Sequence, residues 1–324
     1  MDQDSPLPIS AERTFSRRAA LGAPLALIAT PTAPGQWWTA VQSMPVPRSE
    51  MGAAVLNGKI TVAGGFDGGT QVDRYDPAAD RWETLGPLPE AVNHGGIVAW
   101  HGQVITCGGY NAEAMAAMDI MHTWDEDALA WKSIGTLPTP IGAFGLAVLN
   151  DVLYLAGGAI DRLGGEAMAA VWKRETVAGP WIACPPLSAA REHLTLVACG
   201  SDLVAIGGRA AGQNEATLGA IVERWDTKAD HWERMPDLPV PRSGLAGCAV
   251  GSSILVAGGE TATAVFATVN RFQNKNWSTW HDLPTPVHGM ALAAVGTDLF
   301  ALGGSTEAGA VASVATVYRA NITR

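Results

Sequence analysis

The side chains best suited to chemistry recur at a shared position. Glu50, His94 and His193 each stand third in an eighteen-residue stretch that occurs six times without insertion or deletion. The stretches open Arg48-Ser49-Glu50, Val92-Asn93-His94, Ile141-Gly142-Ala143, Arg191-Glu192-His193, Arg242-Ser243-Gly244 and Val287-His288-Gly289. Positions alike in every copy serve the scaffold, so positions whose chemistry changes are free of its demands. Glu50, His94, Glu192 and His193 are the candidate catalytic residues, because carboxylate and imidazole side chains exchange protons under mild conditions. No cofactor is expected. The alternative is a divalent metal held by His94, His193 and His288, three imidazoles from three units, with Glu50 or Glu192 nearby. His288 comes one residue earlier than the other two, so it is expected to point elsewhere.

A second polar set follows the Gly-Gly pair that ends each stretch: Phe66-Asp67, Tyr110-Asn111, Asp161-Arg162, Arg209, Glu260 and Ser305. Both sets should open at one face. The candidate ligand-binding residues are therefore Arg48, Ser49, Asp67, Asn93, Tyr110, Asn111, Arg191, Arg209, Arg242, Glu260 and His288. For Arg48, Arg191 and Arg242 the competing reading is a structural tie between neighbouring blades or loops.

The elements that must position these groups follow from the same stretch. The first copy, RSEMGAAVLNGKITVAGG, is a run of small apolar residues, a polar turn, a second apolar run and Gly-Gly. That is the pattern of a β-hairpin. The Gly-Gly pairs begin at 64, 108, 157, 207, 258 and 303, spaced 44 to 51 residues apart. Each is followed by a loop, then by a short strand ending in an aromatic: VDRY to Tyr75, HTW to Trp124, VERW to Trp225, VNRF to Phe272. A turn and a Trp-led exit come next: WETLGPLP from Trp82, WKSIGTLP from Trp131, WIACPPL from Trp181, WERMPDLP from Trp232 and WHDLP from Trp280. Four strands on a period near fifty describe one propeller blade.

This pattern resembles the kelch repeat, over about nine tenths of the chain. The resemblance implies an all-β fold, a six-bladed kelch-type β-propeller. The sixth unit ends after one strand near Val314 to Tyr318, and its missing Trp strand stands at the other end as Trp38 to Pro45. The N-terminal strand should therefore join the last blade and close the ring.

Residues 1–35 fall outside the repeat. Ser16-Arg17-Arg18-Ala19-Ala20-Leu21 leads into an Ala-rich stretch too short to span a membrane, with a small-residue cleavage candidate at Ala33-Pro34-Gly35. The segment resembles a bacterial twin-arginine export signal, which implies a periplasmic or secreted propeller over 36–324. A disordered tail is the alternative, and the protein is then cytoplasmic. The formal net charge of −10, without a basic run in the propeller, argues against nucleic acid and against docking on anionic membranes. Cys107, Cys184, Cys199 and Cys248 show no metal spacing and read as small core residues.

The expected function is binding a small polar molecule, a sugar among them, or a protein partner at the channel mouth, by a monomer. Kelch-like relatives supply the alternative, a sugar isomerase of the sialic acid mutarotase kind, in which a mouth carboxylate and an arginine act on the anomeric centre. The resemblance would give Glu50 or Glu192 the acid–base role and Arg191 or Arg209 the substrate carboxylate. A copper-radical oxidase of the galactose oxidase kind is not supported, since of Tyr75, Tyr110, Tyr154 and Tyr318 only Tyr110 is placed at the mouth.

Overall fold

Six four-stranded antiparallel sheets follow one another along the chain. In the first, the strands Ala53–Leu56, Lys59–Ala63, Val72–Asp76 and Arg81–Thr84 run from the inside of the ring outward. The fifth repeats this with Ala246–Val250, Ser253–Ala257, Val269–Gln273 and Asn276–Thr279. The computed structural model describes residues 37–161, 166–211, 215–226, 229–309 and 311–323, and the propeller is the unit Gln36–Arg324. The export-like segment over 1–35 and Arg162 lie outside the described residues.

The last blade is built from both ends of the propeller. Thr39–Val41 pairs antiparallel with Val317–Asn321, with Thr39 opposite Arg319 and Val41 opposite Val317. This is the closure the repeat pattern requires. It replaces two open sheet edges with a continuous ladder.

Hydrophobic contact runs between blades rather than within them. Ile60, Val62 and Tyr75 of the first blade pack on Ala293, Phe300 and Leu302 of the sixth. Trp100 and Ile105 of the second pack on Leu153 and Leu155 of the third. Small residues on the inner strands allow the sheets to approach this closely. A Cβ on Gly145, for example, would stand 2.7 Å from Leu196 Cβ of the next blade.

The Gly-Gly pair does more than turn the chain. The second glycine donates its N–H to the next blade, Gly65 to Val92 O at 2.8 Å and Gly208 to Arg242 O at 3.1 Å, and Gly304 returns to Arg48 O at 3.0 Å. Gly64 and Gly65 have φ of 62° and 89°, where glycine is strongly favoured. A Cβ on Gly64 would also sit 2.4 Å from Val92 O, so this backbone contact needs a residue without one.

The outer tryptophans make a second girdle. The Trp82, Trp131, Trp181 and Trp232 indoles donate to Gln42, Gly86, Thr136 and Pro185 carbonyls of the preceding blade at 2.9–3.0 Å. Trp38 does the same to His281 O at 2.8 Å. In the fifth blade this residue is Trp277, not Trp280. Trp277 faces Phe272 across the ladder and donates to Pro236 O at 2.9 Å. The turn Asn274-Lys275 is shorter than its sisters, which moves the Trp strand three residues earlier than the exit motif suggests. Trp280 packs instead against Trp37 and Trp38.

Candidate functional site

The third position of the six hairpin stretches closes on itself around the channel axis. The N–H groups of Glu50, His94, Ala143, His193, Gly244 and Gly289 each donate to the carbonyl of the same position in the preceding blade, at 2.6–3.0 Å. All six residues have φ between 52° and 60°. Glycine suits this left-handed conformation, whereas a side chain there costs on the order of 1–3 kcal/mol. Three blades accept that cost for Glu50, His94 and His193.

The second position pairs with the first residue after Gly-Gly. The bridges join Ser49 to Phe66, Asn93 to Tyr110, Glu192 to Arg209, Ser243 to Glu260 and His288 to Ser305. This register explains why residues seventeen apart in sequence share one face.

Glu50 is the hub of the charged groups. Its Oε2 is 3.4 Å from His94 Nε2 and 3.9 Å from His193 Nε2, and its Oε1 is 3.2 Å from His288 Nδ1. His94 and His193 meet edge to face with ring centroids 4.8 Å apart. The far nitrogens are held as well. His94 Nδ1 donates to Asn93 Oδ1 at 2.7 Å, and His193 Nδ1 donates to Glu192 Oε2 at 2.5 Å. Arg209 donates through Nε to Glu192 at 2.9 Å and through Nη1 to Glu260 at 2.8 Å, while its Nη2 lies 3.3 Å from His193 Nε2. An arginine can only donate, so His193 Nε2 is the acceptor and its proton sits on Nδ1.

His288 faces acceptors on both sides. Besides Glu50, its Nε2 is 2.9 Å from Glu307 O and 3.5 Å from Glu260 Oε2. It therefore turns toward the other histidines' partner, contrary to the expectation from its offset position. The bridge to Ser305 sets this direction.

Electrostatics follow from this packing. Burial works against ionised Glu50, but His94, His288 and His193 outweigh it and hold its carboxyl well below the usual range. Burial likewise opposes ionised Glu192, and His193 with Arg209 still holds it at about 2. The charge of His288 is opposed by burial and favoured by Glu50 and Glu260, and its pKa ends above the ordinary value. Burial would lower Arg209, yet Glu192 and Glu260 push it up.

The cluster lines one end of a cavity of about 180 Å³ between the inner strands. Its walls are Gly52, Ala53, Gly96, Gly145, Thr195 and Ala291, among other small or apolar residues.

The remaining candidates are placed differently. Arg48, Arg191 and Arg242 are fully buried and point into their own blades rather than to the mouth. Arg48 pairs with Asp73, Arg191 with Glu223 at 2.6 Å, and Arg242 with Asn270 at 3.0 Å. The ligand-binding role is corrected for these three, in favour of a tie within one blade. A buried guanidinium needs such partners to offset its desolvation. Ser49 is buried against Ser313 at 2.9 Å, and Asn93 serves His94. Tyr110 is buried, its hydroxyl donating to Ala159 O at 3.3 Å, and Asn111 caps the turn that follows it. Asp67 is exposed, outside the cluster. The expected trio of histidines is thus a Glu50–His94–His193 set, with His288 behind the carboxylate. Sequence reasoning missed Glu307, whose contribution is a main-chain carbonyl and leaves no side-chain signature.

Fold and repeat together define a kelch-type β-propeller. The family profile described as Kelch motif matches residues 47–89 and 190–239. A solved structure titled "Structure of YjhT" superposes with a TM-score of 0.75 at 14% identity, covering 86% of this chain and 95% of that one. That likeness concerns the fold alone. The chain is a six-bladed kelch-repeat propeller. It is 27% identical over 272 residues to Kelch-like protein terF of Aspergillus terreus, across 74% of this chain and 57% of that protein. It is 31% identical over 226 residues to Beta-scruin of Limulus polyphemus, across 64% of this chain and 24% of that protein. The match thus spans less than two thirds of the length of either relative. Among the described residues no helix is long and apolar enough to cross a membrane.

Proposed function

We propose that this chain is an exported propeller that binds a small polar molecule in its central channel, against the Glu50–His94–His193 end. The single observation behind this reading is the cavity of about 180 Å³ that meets three ionisable side chains on strained backbone. Strain at ring positions that glycine fills elsewhere is what a binding site retains and a scaffold discards. A hydroxyl-rich ligand, such as a sugar, would accept from His288 or Arg209 and donate to Glu50 or Glu192. The export-like segment supports a periplasmic or secreted setting.

Isomerase chemistry is the second reading, and the Glu192–His193 pair favours it. A carboxylate on Nδ1 orients an imidazole whose Nε2 can take a proton. Glu50 is the poorer base of the two, because its surroundings keep it ionised.

A thermal-shift screen of the full chain against sugars and sugar acids tests the proposal. A ligand at a hundred times its Kd should add about 2.7 kcal/mol of stability, visible as a rise in Tm. The rise should vanish in Glu50→Gln. A flat screen, together with recovery of a specific protein partner, would replace this reading with a protein-binding propeller.

A further inference from the structure

We infer that Glu50, His94 and His193 form a binding site for one divalent transition-metal ion at the end of the channel. The inference stands on donor geometry alone and does not rest on the small-molecule reading. Glu50 Oε2, His94 Nε2 and His193 Nε2 converge on one point from three blades, all within 4.8 Å of one another. Two of the separations are 3.4 Å and 3.9 Å. A tetrahedral ion with bonds of about 2.1 Å sets its ligands about 3.4 Å apart, so a small inward movement completes the site.

The arrangement behind the donors argues for the same conclusion. A metal-binding imidazole presents one nitrogen to the ion and donates the other N–H to a fixed acceptor. His94 does this through Asn93 and His193 through Glu192. The carboxylate has its own support, since His288 Nδ1 holds the far oxygen of Glu50 at 3.2 Å. Each of the three donors is thus oriented from behind by a different residue. A buried salt-bridge cluster has no need of that arrangement.

The charges permit a cation. Three carboxylates, Glu50, Glu192 and Glu260, face Arg209 and His288 as the cationic groups beside the two imidazole donors. An ion here would displace the 3.3 Å contact from Arg209 Nη2 to His193 Nε2. Arg209 keeps its bonds to Glu192 and Glu260 in that event. Two imidazoles and a carboxylate suit zinc, iron or another first-row ion rather than calcium or magnesium. Further coordination positions would face the cavity, where water or a polar ligand can enter.

The test uses the full tag-free chain, stripped with chelator and titrated with cobalt(II) and zinc(II) chloride. One equivalent should bind, with cobalt giving visible bands unlike those of the aqua ion. His94→Gln should abolish that binding, while His231→Ala, a change at an exposed histidine on an outer strand, should leave it intact. Glu192→Gln removes the carboxylate behind His193 together with its ion pair to Arg209, leaves all three donors in place and should weaken binding about 10- to 100-fold. A cobalt spectrum identical to the aqua ion would overturn the inference without any variant. So would stoichiometric binding that survives His94→Gln in a chain shown to be folded by circular dichroism.

Discussion

Arg191 and His193 stand two residues apart, both buried, both ionisable, and they serve opposite ends. The Arg191 guanidinium donates to Gly207 O, Ile221 O and Glu223, all in its own blade. His193 reaches across the axis to Glu50 of the first blade, and to the loop residue Arg209. Comparing the six blades at each position separates the two roles. At the Arg191 position the residue changes together with its neighbour on the third strand. Arg48, Arg191 and Arg242 face Asp73, Glu223 and Asn270. Where the position is Val92, Ile141 or Val287, the third-strand residue in the same register is His122, Trp172 or Tyr318. Two packing solutions therefore fill one slot, a guanidinium tied to a polar side chain or an aliphatic side chain opposite a ring. The ring position shows no such compensation, because its partners come from other blades.

This contrast can be broken most forcefully at Arg191. Arg191→Ala should cost about 3–5 kcal/mol, because it strands the buried Glu223 charge. The double change Arg191→Val with Glu223→Tyr copies the sixth blade and should recover most of that loss in chemical denaturation. If the double variant is as unstable as the single, the slot is not interchangeable and the comparison fails. A smaller effect is expected at the ring. His193→Gly removes contacts but relieves the left-handed backbone, so its stability should stay within about 1 kcal/mol of the wild type. The smallest effect is Ala143→Gly, which relieves the same strain with no polar contact to lose. It should raise stability by at most about 1 kcal/mol, since glycine also gains freedom in the unfolded chain.

The repeat made the fold legible. Hairpin runs, Gly-Gly pairs and tryptophan exits each appear several times, and repetition turns weak local signals into a strong one. The error at Trp280 shows the limit. The trailing Leu-Pro points to Trp280, while the ladder follows the turn length before Trp277. The site was half legible. Variation among copies singled out Glu50, His94, His193 and Glu192, but it also drew in Arg48, Arg191 and Arg242. Their partners sit 25 to 32 residues away on the third strand, and the paired variation across blades is the signal that separates them.

By itself the sequence determined the number of blades, their closure by the N-terminal strand and the face where polar residues gather, because each depends on spacing along the chain. Which of those residues meet depends on how the blades close around the axis. The side chains of Glu50, His94, His193 and His288 come from four blades, and their separations of 3.2–3.9 Å depend on how the ring closes. The closed circle of backbone hydrogen bonds carries Glu50, His94 and His193, and the bridge to Ser305 places His288 beside them. No local pattern carries that information, since each bond in the circle joins residues at least 44 positions apart.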